Sequence, residues 1–169
     1  MAIPRSAFAL AIATLLVCTA RSHAQTPAAE TPAATAWDLH CTDDGKCEML
    51  SRYEIDGKPV SHLALYKVGD SVVLEYLLPL RVNLQKGIFL VVDGKKRFAT
   101  NALYCDAPGC VGYAPATAEL VASLQRGADL RLVFAMQGDT RVFLFAYPLT
   151  GFTATYRDWK AGKKTSQGQ

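Results

Sequence analysis

The sequence predicts a mainly β protein of the β-sandwich class. Three observations carry this. Apolar and polar residues alternate with period two through most of residues 37–159, turn signals interrupt these runs at short intervals, and only one stretch has helical spacing. The alternation of strands with helices that a parallel sheet needs is not visible, and neither is an internal repeat. At 169 residues the chain has room for one domain of ordinary size.

The N-terminus carries Arg5, then an eleven-residue apolar run over 7–17, then Ser22-His23-Ala24. A positive end, a short apolar stretch and small residues at a cleavage site make a secretory signal peptide over 1–24, cut between Ala24 and Gln25. Eleven residues are too few to cross about 30 Å of hydrocarbon as a helix. Leu15-Leu16-Val17-Cys18 has a loose likeness to a lipoprotein box. Such boxes place a small residue before the cysteine, and Val17 is bulky, so Cys18 reads as part of the apolar run. Residues 25–36, QTPAAETPAATA, have no large apolar side chain and are expected to be a flexible leader. The domain is expected over 37–159, and the basic tail 160–169 is expected to be disordered.

Cys41, Cys47, Cys105 and Cys110 remain after cleavage, and export favours their oxidation. Asp44-Gly45 lies between the first two and Pro108-Gly109 between the second two. Both are turn signals, so a local pairing, 41–47 and 105–110, would place each bridge across the base of a turn. A crossed pairing, 41–105 with 47–110, stays open on spacing alone. Zinc is disfavoured because export favours oxidation and the five residues between Cys41 and Cys47 exceed the usual knuckle of two to four, and no C-x-x-C motif for thiol exchange is present.

Strands are expected at 37–41 and 47–55, the latter broken by Asp56-Gly57 and Pro59. Others are expected at 61–67, 72–78, 88–92 and 95–98, where Asp93-Gly94 makes a hairpin, and near 102–105 and 110–113. The one helix is expected at about 117–126. Thr117 is its N-cap, Leu120, Val121 and Leu124 form its apolar face, and Gly127 follows its end. Strands then follow at 129–136 and 140–147. The chain closes with Leu149-Thr150-Gly151-Phe152 and a last segment ending near Trp159.

Charge and composition exclude more than they assign. Without Arg5 and Arg21, the 18 basic residues fall to 16 against 15 acidic ones, so the mature chain has no basic field to hold nucleic acid. No G-x-S-x-G elbow, phosphate-binding glycine loop or H-E-x-x-H is present. Asp43-Asp44-Gly45 lacks the rest of a calcium loop and reads as a turn. His40 adjoins Cys41, but a cysteine held in a disulfide is no nucleophile, and strand neighbours point to opposite faces. His62 lies opposite Leu63 and Leu65 and is expected on a solvated face. Lys95-Lys96-Arg97 is expected to protect an edge strand. Phe143 and Phe145 share one face of their strand, opposite Val142, Leu144 and Ala146. One face must meet the core and the other is either covered or meets a partner. Phe143, Phe145, Tyr147 and Phe152 read as core and not as a ligand platform.

Several segments resemble, in order and spacing, the invasion-associated locus B family of exported bacterial proteins. They are Trp37-x-x-x-Cys41 followed by Cys47, Leu78-Pro79-Leu80-Arg81-Val82 with Gly87-Ile88 and Val92-Asp93-Gly94, Tyr104-Cys105 with Gly109-Cys110, the helix around Glu119-Leu120-Val121, and Leu149-Thr150-Gly151-Phe152. The likeness covers about 37–159. Three departures touch loop geometry: a closer first cysteine pair, Ser51 where the family often has Gln, and Arg81 where it has glycine. The resemblance implies an immunoglobulin-like β-sandwich with one short α-helix and an exported, non-enzymatic protein, and it brings no catalytic residues; no cofactor or metal is expected. Its expected partner is a protein or an envelope component. The alternatives are an envelope lipoprotein tethered through Cys18 and a periplasmic enzyme whose site joins His40 to distant carboxylates.

Overall fold

The computed structural model describes residues 33–163, so Cys18, Ala24 and Gln25 lie outside the described residues. Two antiparallel sheets face each other. The larger contains β1 (Ala33–Ala34), β2 (Asp38–Cys41), β3 (Cys47–Ile55), β4 (Lys58–Val68), β5 (Ser71–Leu78), β8 (Asn101–Asp106) and β9 (Gly109–Pro115). Its order is β1-β3-β4-β5-β9-β8, with β2 also paired to β3. The smaller sheet has the order β11-β10-β6-β7, from β6 (Phe89–Val92), β7 (Lys96–Ala99), β10 (Asp129–Ala135) and β11 (Val142–Pro148). The β-sandwich expected from the alternation is therefore the architecture found. Ala33–Ala34, in the segment read as leader, pair with Glu54 and Tyr53 of β3.

Period-two alternation places one side chain in two between the layers. Met49, Leu63, Leu65, Leu74, Tyr76 and Leu78 from the larger sheet meet Leu90, Leu130, Leu132, Phe134 and Tyr147 from the smaller, all buried. The turns follow local chemistry. Asp56-Gly57 and Asp93-Gly94 each hold positive φ at both residues, as a tight hairpin requires. The Asp93 carboxylate also accepts from the backbone N–H groups of Ala128 and Asp129, at 2.8 and 3.0 Å. Arg81, at the family's glycine position, has φ 70°, so the departure in sequence keeps the backbone conformation that favours glycine.

Helix α1 (Ala118–Arg126) starts where the sequence places it: the Thr117 hydroxyl accepts from the Leu120 N–H, and Leu120, Val121 and Leu124 are buried. Gly127 ends it with φ −78°, not in the left-handed form. Its role is close approach, since a Cβ there would lie 2.6 Å from Val92 Cγ1.

The single-helix expectation is corrected. The final segment is a second helix, α2 (Phe152–Lys160), preceded by a single 3-10 turn at Leu84–Lys86 earlier in the chain. Phe152, Tyr156 and Trp159 stand at helical spacing on one face and stack in sequence, with centroids 5.9 and 5.7 Å apart. Phe152 meets Trp37 edge-on at 5.1 Å. The Trp37 indole donates to the Pro148 carbonyl and the Trp159 indole to the Cys47 carbonyl, so both ends of the domain are tied to its body.

Candidate binding surface

Residue pairing across the smaller sheet decides which face of β11 is free. Phe143 lies opposite Phe134, and Phe145 opposite Leu132, both on the inner face. Phe145 stacks against Tyr53 of the larger sheet at 4.4 Å, and Phe143 against Phe134 at 6.0 Å. Both phenylalanines are half-buried against the core. The opposite face is open: Val142 is 70% and Leu144 49% exposed. Their outer-face neighbours are Ala135 and Val133 on β10, and beyond Val133 stands Phe89 on β6. Val142 and Leu144 stand exposed on a strand whose other face is turned to the core, and an apolar sheet face left to water is unusual for a monomer.

A cavity of about 370 Å³ opens on this face, beside the β10–β11 turn. Its apolar wall is Phe89, Val133 and Val142, and its charged groups are Lys86, Arg97, Asp139 and Arg141. The Arg97 guanidinium carbon lies 3.3 Å from the centre of the Phe89 ring. That ring is packed over Gly87, where a Cβ would come within 2.8 Å of Phe89 Cζ. Arg141 forks onto the Asp139 carboxylate, with Nη2 2.7 Å from Oδ2, and this ion pair lowers Asp139 to about 2. Of Lys95-Lys96-Arg97, Lys96 starts the edge strand β7, Lys96 pairs with Glu119 at 3.3 Å, and Arg97 turns onto the outer face.

The two histidines stay apart. His40 sits on β2 opposite Glu48 and lines a second cavity of about 540 Å³ with Asp44, Lys46, Tyr66, Lys67 and Trp159. His62, on the outer face of the larger sheet, is half-buried, with Nε2 3.9 Å from Glu75 Oε1. The Tyr66 hydroxyl donates to the other Glu75 oxygen. The imidazole is the largest cause of a lowered Glu75 pKa; partial burial opposes it and the Tyr66 hydroxyl adds to it. Burial first, and the Glu75 hydrogen bond second, hold the Tyr66 phenol above its usual range. Among the described residues, no serine or thiol is hydrogen-bonded to this cluster. Among the described residues, no three His, Cys, Asp or Glu side chains come together to hold a metal.

The cysteines pair locally, Cys41 with Cys47 and Cys105 with Cys110. Each pair is directly opposed across two antiparallel strands, at the base of a turn. Alternation in the sequence had separated the two faces of β11 without saying which is inside. The stacking of Arg97 on Phe89 carries no sequence signal beyond the basic cluster itself.

A family model described as Invasion associated locus B (IalB) protein matches residues 37–160. No curated protein matches the chain. Among solved structures, the crystal structure of invasion associated protein b from Bartonella henselae superposes with a TM-score of 0.67. At 22% identity it covers 78% of this chain and 95% of that one, a likeness of fold. No helix among the described residues is long and apolar enough to cross a membrane.

Proposed function

The chain belongs to the invasion associated locus B family, and from that premise we propose that it is an exported, non-enzymatic binding protein of the bacterial envelope. The observation that carries this reading is the exposed apolar face of β11, Val142 and Leu144, on a strand whose other face is already spent on the core. An apolar sheet face of this kind suits a protein interface, where exposed aliphatic and aromatic groups are covered on binding. The signal-peptide pattern over 1–24 and two disulfides support an oxidising compartment outside the cytoplasm. The Bartonella henselae protein of like fold is an invasion associated protein; for this chain, contact with a host cell is one setting in which such a surface would act.

The test uses the full chain as bait against envelope extract, beside a Val142→Ser/Leu144→Ser double variant whose fold is checked by circular dichroism. Wild-type protein should retain a partner that the double variant loses. Equal recovery by the two baits removes this face as the binding surface. Mass spectrometry of the exported protein should find Gln25 as its first residue; a lipidated Cys18 would instead support a tethered form.

A further inference from the structure

We propose that the outer face of the smaller sheet docks an acidic protein partner, one of whose carboxylates seats in the cavity against Arg97. This rests on the binding reading above and adds the partner's chemistry. Charge bookkeeping within the cavity gives the sign. Its one carboxylate, Asp139, is taken by Arg141. Lys86 and Arg97 line the same cavity and, among the described residues, neither has a carboxylate at ion-pair distance. The unmatched charge beside the apolar face is therefore positive.

Arg97 is also set up to receive a carboxylate. Its guanidinium carbon sits 3.3 Å over the centre of the Phe89 ring, and no protein acceptor among the described residues takes its N–H donors. A guanidinium held by stacking keeps its fork for a planar bidentate acceptor, and less side-chain freedom is lost when the pair forms. Beside it, Val142 and Leu144 offer the apolar area that an interface core needs, and arginine with an aromatic ring is the composition of binding hot spots.

The same facts weigh against other occupants. A second copy docked face to face about a two-fold axis would set the same net-positive surface against itself, a like-charge arrangement. A lipid surface would lie across the face and leave a cavity of about 370 Å³ unfilled, whereas a protruding side chain fills it.

The experiment places the photo-crosslinker p-benzoylphenylalanine at position 144 of the full chain, in cells that export it, and identifies the linked peptide by mass spectrometry. The control carries the crosslinker at position 73, on the outer face of the other sheet. The expected result is a link from position 144 to a second protein, through a segment rich in Asp and Glu. Arg97→Gln should lower the yield by about fivefold or more, with a smaller loss for Lys86→Gln. A link to another copy, to lipid, or to a segment without acidic residues overturns the proposal. So does a yield that Arg97→Gln leaves unchanged, and in that case binding at this face still stands. No link from position 144 above the control overturns both readings.

Discussion

The hydroxyl of Tyr147, on β11, meets the hydroxyl of Ser61, on β4, at 2.7 Å in the buried space between the two sheets. The Ser61 hydroxyl itself donates to the Leu77 carbonyl, so the Tyr147 hydroxyl is the donor between the pair. This polar tie joins the layers at a point where burial also pushes the Tyr147 phenol above its usual range.

The two ends of that tie should respond unequally to removal. Ser61→Ala leaves the buried Tyr147 hydroxyl with no acceptor and is expected to cost about 1–3 kcal/mol. Tyr147→Phe removes a bond but strands no donor, and should cost about 0.5–1.5 kcal/mol. Urea unfolding of both variants measures the order; a larger loss for Tyr147→Phe would contradict the donor assignment.

Helix α1 should be held by its buried leucine. Leu124 is fully buried, and Leu124→Ala is expected to cost about 2–5 kcal/mol through lost contact and the cavity left behind. A loss below about 0.5 kcal/mol in the unfolding midpoint would mean that the helix does not pack on the sheets.

The first disulfide closes a short loop, so its removal should be tolerated. Replacing Cys41 and Cys47 together by Ala should cost about 2 kcal/mol in the chain-entropy account and leave a folded domain. Loss of the far-UV signal of the sheets at room temperature would show that this hairpin does more than restrict the unfolded chain.

Arg81 adopts a backbone conformation that glycine reaches without a Cβ penalty. Arg81→Gly is expected to raise stability by up to about 1 kcal/mol, net of glycine's greater freedom when unfolded. A shift of the denaturant midpoint downward would count against this.

Glu75 should shape the acid limb of stability. Its folded pKa lies below 4.5, with His62 as the largest cause, so its contribution is present above the ordinary carboxylate range. That contribution is lost as pH falls through the depressed value. The stability gap between wild type and Glu75→Gln should therefore be present above the ordinary carboxylate range and close as pH falls through the depressed value. A gap that stays constant from pH 7 to pH 3 would remove the His62–Glu75 interaction as its source.

Sequence alone determined what depends on neighbours along the chain. Asp44-Gly45 and Pro108-Gly109 bring their flanking cysteines together, Asp56-Gly57 and Asp93-Gly94 turn hairpins, and Thr117 caps a helix whose apolar face recurs at helical spacing. These are interactions within a few residues, and local propensity suffices for them. The second helix was less legible because Phe152, Thr153, Thr155, Tyr156 and Trp159 are of types common in strands, and Gly151 offers no capping side chain. The spacing of Phe152, Tyr156 and Trp159 was the available signal, but Trp37 and Cys47, from the other end of the domain, are what hold that helix in place. The exposed face belonged wholly to the tertiary structure. β11 is apolar on both sides, so its alternation defines two faces without ranking them. Only the opposition of the larger sheet, with Tyr53 stacked on Phe145, buries one and leaves Val142 and Leu144 to water. Arg97 and Phe89 meet for the same reason: they lie eight positions apart and become neighbours only when β6 and β7 pair.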